Sequence, residues 1–430
     1  ARSRTAAMSA ALMRGICSAY AAYPMALPEA TNRVGQTADM AIDVAQVRAD
    51  TPAADSLTFL DNAGSALSPA IVTSTVIDYL EREQRVGGYA AAEEEAERLA
   101  QVPASAGQLV GVEADQIALM PSATAAWLRA FASVPLESGD RILTTRAEYA
   151  SNVLPMLQSA RRVGATVEFI PDGPDGSVDP AALGEMLDAR VKVVAITHAA
   201  SQNGVTADAT EIGRVLRAAD SKAWYLLDAC QSLGQMPVDL TEIGADFISA
   251  TGRKFLRGPR GTGFLAVSPR VLAEIEPVPI DMFGTTWDGN LDYTVGPTAA
   301  RFQSMETSFA GVLGLGAAID YALAAGIDAI RERLVMLSTH LREALAEIDG
   351  VRVHDRGAQQ SAIGVFSCPG SDSWEKVREL RRNNVIVTAI TEPTNPRDVA
   401  TYNSVCVLRA SPHYYNTESD LSALTTTLSR

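Results

Sequence analysis

The chain is expected to fold as an α/β domain with a mainly parallel sheet, followed by a smaller α+β unit. Three observations lead there. From about residue 56, short apolar runs alternate with segments of helical spacing. Most of those runs are continuous rather than alternating, which marks strands buried on both faces, as in a parallel sheet covered by helices. Beyond residue 304 the pattern changes to a long alanine- and leucine-rich helical stretch and then to short strands.

Taken in order, residues 57–60 read as a short strand closed by the turn Asp61-Asn62-Ala63-Gly64, and 71–85 have helical spacing. Strands follow at 141–145, 166–170, 191–197, 224–228, 247–250 and 263–267, with helix patterns such as 181–189 and 209–219 between several of them. Residues 305–345 suit a long helix, broken at Gly326, that leads out of the large domain. The remainder holds strands at 351–353, 362–367, 385–388 and 405–410 and two helix patterns. The expected organisation is a poorly ordered leader- or tag-like segment over 1–39, a segment at 40–55 joining the small domain, a large domain over 56–304, and a linking helix with the small domain over 305–430.

Composition narrows the function classes. With 47% apolar and 20% charged residues the chain has ordinary globular usage, so a disordered or fibrous protein is excluded. A net charge of −15 argues against nucleic acid or an anionic membrane as partner, while leaving room for a small anion in a local pocket. Cys17, Cys230, Cys368 and Cys406 form no C-x-x-C pair, and His198, His340, His354 and His413 are as scattered. That pattern reads as reduced thiols in a cytoplasmic protein, with no metal site. Residues 1–39 begin without Met and carry Arg2, Arg4 and Arg14 around an alanine-rich stretch. A tag scar, or a start placed upstream of Met40, accounts for them better than a signal peptide, and no apolar run reaches the length of a membrane span.

Three stretches carry chemistry. Tyr225-Leu226-Leu227-Asp228-Ala229-Cys230-Gln231 sets a carboxylate at the end of a buried strand. Phe247-Ile248-Ser249-Ala250-Thr251-Gly252-Arg253-Lys254 sets a lysine just beyond another, and Ser122-Ala123-Thr124 lies where a helix begins. Ligands of open α/β sheets bind outside the carboxyl ends of the strands, where all three would meet. Pyridoxal 5′-phosphate chemistry needs a lysine amine to form an aldimine, a carboxylate to keep the pyridine nitrogen protonated, and free backbone N–H groups around a phosphate. Singly, each piece has an ordinary reading: a loop-capping Asp, a solvated Lys, a helix N-cap. The combination, in this order on this run of strands, is far more specific.

The chain resembles the class V aminotransferase group of fold-type I pyridoxal-phosphate enzymes, which includes cysteine desulfurases, isopenicillin N epimerase-like proteins and C–S lyases. The likeness spans about residues 41–430 and rests on Phe59-Leu60-Asp61-Asn62-Ala63-Gly64, Leu226-Leu227-Asp228-Ala229-Cys230-Gln231-Ser232 and Thr251-Gly252-Arg253-Lys254. Gly258-Pro259-Arg260-Gly261-Thr262-Gly263, Ala300-Arg301-Phe302-Gln303 and the stretch from Leu408 to Thr417 add to it. The resemblance implies Lys254 as the Schiff-base lysine, Asp228 as partner of the ring nitrogen and Gln231 as a donor toward the ring phenolate. It implies Ser122, Ala123, Thr124, Thr251 and Arg253 around the phosphate, Arg409 on the substrate's α-carboxylate, and Ala63 and Gly64 beside the substrate. It further implies a homodimer with shared active sites, in which Thr285 and Thr286 reach the neighbouring subunit's phosphate.

Departures from the desulfurase pattern bear on the reaction. Tyr149 stands where those enzymes carry a histidine that stacks on the cofactor and moves protons; a phenol stacks but is a poor acid–base group near neutral pH. The segment 388–403, which matches the loop of the persulfide-accepting cysteine, contains none, and Cys406 lies in an apolar strand pattern. Ser201 falls where desulfurases commonly have Asn, and His198 beside it either touches the ring region or is a satisfied core histidine. The expected reaction is therefore C–S bond cleavage by β-elimination from a cysteine conjugate. Aminotransferase or epimerase action is the alternative, with cysteine desulfurase action or a non-catalytic binding role ranked below. The Gly258–Gly263 glycines precede a strand rather than open a helix, so a dinucleotide site is not expected.

Overall fold

The structure, a computed structural model, describes residues 41–368, 370–391, 396–399 and 406–429. The expected leader at 1–39 lies outside the described residues. The first strand, β1 (Thr58–Phe59), precedes a central sheet of seven: β2 (Ile117–Met120), β3 (Arg141–Thr144), β4 (Thr166–Phe169), β5 (Val191–Thr197), β6 (Trp224–Asp228), β7 (Phe247–Thr251) and β8 (Gly263–Val267). Their order across the sheet is β2-β8-β7-β6-β5-β3-β4, and within it β8 alone runs antiparallel to its neighbours. The expectation of a mainly parallel sheet holds. It omitted β2, a strand of four residues at the edge of the sheet.

The continuous apolar runs have a simple cause. Leu227, Ile248, Ala250 and Phe264 face one hydrophobic core, while Leu226, Phe247, Leu265 and Val267 face another on the opposite side. Successive side chains leave a strand on opposite faces, so a sheet with helices on both sides needs an apolar residue at every position. The strands thus come out rigid and dry, and their carboxyl ends are where polar residues begin.

Between β8 and the last unit a hairpin is formed by β9 (Thr285–Trp287) and β10 (Tyr293–Val295). The long helix expected over 305–345 with its break at Gly326 is two helices, Phe309–Ala325 and Ile327–Ala346, bent by 79°. Gly326 between them has φ +80°, a left-handed conformation that cannot continue a helix. The first helix packs by its glycines, for a Cβ on Gly314 would lie 2.6 Å from both Pro259 and Val76. The expected helix over 181–189 spans Pro180–Met186, because Leu187 is extended and an Asp188 carboxylate turn follows. Among the described residues no single helix is long and apolar enough to cross a membrane.

The C-terminal part adds β11 (Arg352–Val353), β12 (Gly364–Ser367), β13 (Val385–Ile386), β14 (Thr388–Thr391) and β15 (Cys406–Ala410). Four of them form an antiparallel sheet in the order β11-β12-β15-β14. β13 pairs in parallel with β1, and Leu60 joins the core of this unit with Leu337, Leu341, Phe366 and Leu408. The Ser411 N–H donates to the Leu60 carbonyl and Asp61 bridges to Ser411, which fixes the turn after β1 to the end of the strand that carries Arg409.

Candidate active site

The register of the central sheet gathers the expected residues at its carboxyl edge. Asp228, the last residue of β6, lies opposite Thr197 of β5 and Ser249 of β7. Thr251 of β7 and Met120 of β2 both lie opposite Gly263 of β8. That places Ser122, Ala123 and Thr124 two strands away from the loop that carries Arg253 and Lys254. Ser122 caps the helix Ala123–Ser133 by accepting from the Ala125 N–H at 3.1 Å. The N–H groups of Ala123 and Thr124 have no preceding turn to donate to and are left for an anion.

Lys254 sits beside this floor, its Nζ 3.2 Å from Cys230 Sγ. Asp228 is buried; its Oδ1 accepts the Cys230 N–H at 2.8 Å and its Oδ2 accepts Asn152 Nδ2 at 2.7 Å. The same Asn152 nitrogen donates to Glu148 Oε1 at 2.7 Å, and Thr197 Oγ1 donates there at 2.5 Å. Burial, then the nearby Asp228 charge, pushes Glu148 up to about 7. Burial also raises Asp228, against the opposing pull of the Asn152 and Cys230 hydrogen bonds and the Lys254 charge.

Arg409 of β15 marks the other end. Its Nη2 forms an ion pair with Asp61 Oδ1 at 3.0 Å, its Nη1 donates to the Ser201 carbonyl at 3.3 Å, and its buried Nε meets no partner among the described residues. Ser201 thus stands at the arginine, its own hydroxyl bonded to Gln202 Oε1 at 2.7 Å. Ala63 donates its N–H to Ser411 Oγ at 2.9 Å, and its carbonyl accepts Gln231 Nε2 at 3.1 Å, leaving Gln231 Oε1 buried without a partner. The Gly64 carbonyl accepts from the Arg253 guanidinium, and a Cβ at Gly64 would lie 2.6 Å from the Asp61 carboxylate.

Other expected residues are placed less centrally. His198 is buried behind Asp228, its Nδ1 2.9 Å from Ser232 Oγ, and burial lowers it to about 4. It is therefore neutral near pH 7 and is no acid–base group there. Tyr149 caps the helix Ala150–Val163 with 38% of its surface exposed. Thr285 and Thr286 pair with Val295 and Thr294 within the hairpin, and no hydrogen bond among the described residues joins them to the Asp228 floor. The sequence reading assigned nothing to Glu148, Asn152 or Asp61. Glu148 and Asn152 are spaced i, i+4 around a helix start, a spacing that puts two polar side chains on one face, and that was the available signal.

The residues fit pyridoxal phosphate. A Cβ on Gly263 would come within 3.0 Å of the Ser122 carbonyl carbon and 3.2 Å of the Ala123 nitrogen, so the glycine keeps the helix start close against the sheet. Gln231 Oε1 and Arg409 Nε are buried with no hydrogen-bond partner among the described residues, and a buried carboxylate, Asp228, and the Lys254 amine belong to the same edge of the sheet. Of the described His, Cys, Asp and Glu side chains, no three are grouped to hold a metal ion.

The class-V aminotransferase family matches over residues 58–424. A probable cysteine desulfurase from Methanothermobacter thermautotrophicus is 30% identical over 391 residues, covering 89% of this chain and 96% of the relative. Among solved structures, the apo cysteine desulfurase from Thermococcus onnurineus NA1 superposes with a TM-score of 0.83 at 24% identity, covering 91% of this chain and 98% of that one. A cystine C–S lyase in complex with cysteine persulfide superposes at 0.79 with 21% identity, covering 88% and 99%. At those identities the superpositions speak for the shared fold. With the family matched over most of its length and the floor, lysine and helix start in place, this chain belongs to the class-V aminotransferase family of pyridoxal 5′-phosphate enzymes.

Proposed function

We propose that the protein cleaves the C–S bond of a cysteine conjugate by β-elimination. Pyridoxal phosphate, when bound, supplies an aldehyde that joins the substrate's amine and a ring that draws electrons from its α-carbon. Asp228 would hold the proton on the ring nitrogen, and the free N–H groups at Ala123 and Thr124, with Thr251, would take the phosphate. Arg409 would exchange Asp61 for the substrate's α-carboxylate, a like-for-like swap of one carboxylate for another. Lys254, released from the cofactor, would take the α-proton. Loss of that proton and of the β-thiol leaves, after water adds, pyruvate and ammonia.

The observation that carries this reading is where the cysteines lie. Segment 388–405 contains none. Cys406 pairs with Thr391 across the β14–β15 ladder, and burial pushes its thiol up, away from the thiolate a sulfur acceptor needs. The test is product analysis: pyruvate and ammonia released in equal amounts from an S-conjugate of cysteine support elimination, and alanine formed from free cysteine with a persulfide on the protein overturns it.

Cysteine desulfurase action is the second reading, favoured by the name the relative from Methanothermobacter thermautotrophicus carries and by one contact here. Cys230 Sγ, in the turn that follows β6, is 3.2 Å from Lys254 Nζ. Alanine production abolished by Cys230→Ala but not by Cys406→Ala would select it.

A further inference from the structure

Behind Asp228 lies a second carboxyl group that the proposed reaction does not use. The amide nitrogen of Asn152 spends its two hydrogens on Glu148 Oε1 and Asp228 Oδ2, each at 2.7 Å. Two oxygens held by one nitrogen are close neighbours, and both carboxyl groups are buried, Glu148 at 2% exposure. Two unscreened negative charges in that position repel strongly, so the pair retains a proton. Asp228 is the member that stays ionised: Lys254 favours its charge, and so would a protonated ring nitrogen. Glu148 gathers its donors on one oxygen: Oε1 accepts from Asn152 Nδ2, the Tyr149 N–H at 3.1 Å and Thr197 Oγ1 at 2.5 Å, while Oε2 meets the Thr144 hydroxyl at 3.4 Å, a group that accepts a proton as readily as it donates one, so Oε2 is the oxygen free to carry the proton.

We propose that Glu148 is a positioning residue that acts as a neutral acid, locking Asn152 so that Asp228 is held as the single negative charge of the floor. This rests on the reading of Asp228 as the ring-nitrogen partner. The titratable group facing Glu148 is Asp228 from β6; Lys254 and Cys230 reach Asp228 rather than Glu148. From β3, β5 and the helix Ala150–Val163 come Thr144, Thr197 and Asn152, none of which titrates.

The sign of the pH effect follows. A carboxyl raised in the folded protein binds its proton more tightly there than in the unfolded chain, so its contribution is complete below the ordinary value of 4.5 and is lost as pH rises toward about 7. Glutamine mimics the neutral acid. The full-length chain, Glu148→Gln and Glu148→Ala are compared by thermal unfolding across that window, without and with added pyridoxal phosphate. Glu148→Gln should match wild type at the acid end and exceed it increasingly as pH rises. Its cofactor affinity should stay within about twofold, while Glu148→Ala weakens cofactor binding about tenfold. A carboxylic-acid carbonyl band in the infrared near pH 6 should be present in wild type and missing in Glu148→Gln. A Glu148→Gln protein that loses stability relative to wild type as pH rises would overturn the proposal, since Glu148 would then be needed as an anion. If wild type takes up no pyridoxal phosphate, the cofactor reading fails, and the stability comparison without cofactor still decides where the proton resides.

Discussion

The two ends of the active site are built on opposite terms. The floor is closed: Asp228 at the end of β6, Glu148 in the connection after β3 and Asn152 in the helix Ala150–Val163 are buried and bonded to one another. The carboxylate end is exchangeable. Arg409 already holds a carboxylate, but it belongs to Asp61, whose side chain is 25% exposed and can be displaced. The floor has nothing to rearrange when a ligand arrives, and preorganised charges of that kind are worth most where water is absent. In its proposed role the arginine end would release one partner to take another, so part of its strength would be spent before substrate binds.

Changes at the floor should therefore strike turnover, and changes at the arginine should strike substrate affinity. The largest effect is expected from Lys254→Ala, which removes the amine proposed to carry the proton. Turnover should fall at least about a thousandfold, and the visible absorbance of the cofactor-bound lysine should vanish. Asp228→Asn should lower kcat by roughly a hundredfold with little change in KM, as measured by steady-state kinetics on a cysteine conjugate. Arg409→Ala should do the reverse and raise KM about tenfold to a hundredfold. Asp61→Asn should lower KM about threefold, because the competing carboxylate is gone. A rise in KM would mean instead that Asp61 holds the arginine in place.

The smallest effect concerns His198. Its folded value, about 4, lies below the ordinary 6.5, so the unfolded chain binds more protons between those limits and stability rises with pH across them. His198→Gln should flatten that acid limb in thermal unfolding and leave the activity profile above about pH 6.5 unchanged. A shifted activity profile would return His198 to the acid–base chemistry.

What the sequence made legible follows from what each feature depends on. Buried strands announce themselves because every position is apolar, as in Phe264 through Val267. Lys254, Asp228 and the Ser122 cap were readable because their motifs are contiguous and end such strands. The bend at Gly326 was half visible: the break showed, but its 79° angle depends on a left-handed φ that composition does not reveal. Glu148 and Asn152 were hidden, although the stretch that contains them was plain. Their role comes from the meeting of β3, β5 and β6, and no single stretch contains it. The Asp61–Arg409 pair was hidden for the same reason, its members lying 348 positions apart.

The pairing of β1 with β13 has a consequence for speed. Asp61 follows β1 and bridges to Ser411, while Arg409 lies in β15, so both charges ride on one structural unit. Displacing Asp61 then needs no parting of that unit from the central sheet. The exchange is a turn of a partly exposed side chain, an event of picoseconds to nanoseconds rather than the microseconds to milliseconds of a hinge. With Arg409 in its proposed role, such an exchange would be too quick to set the pace of substrate capture.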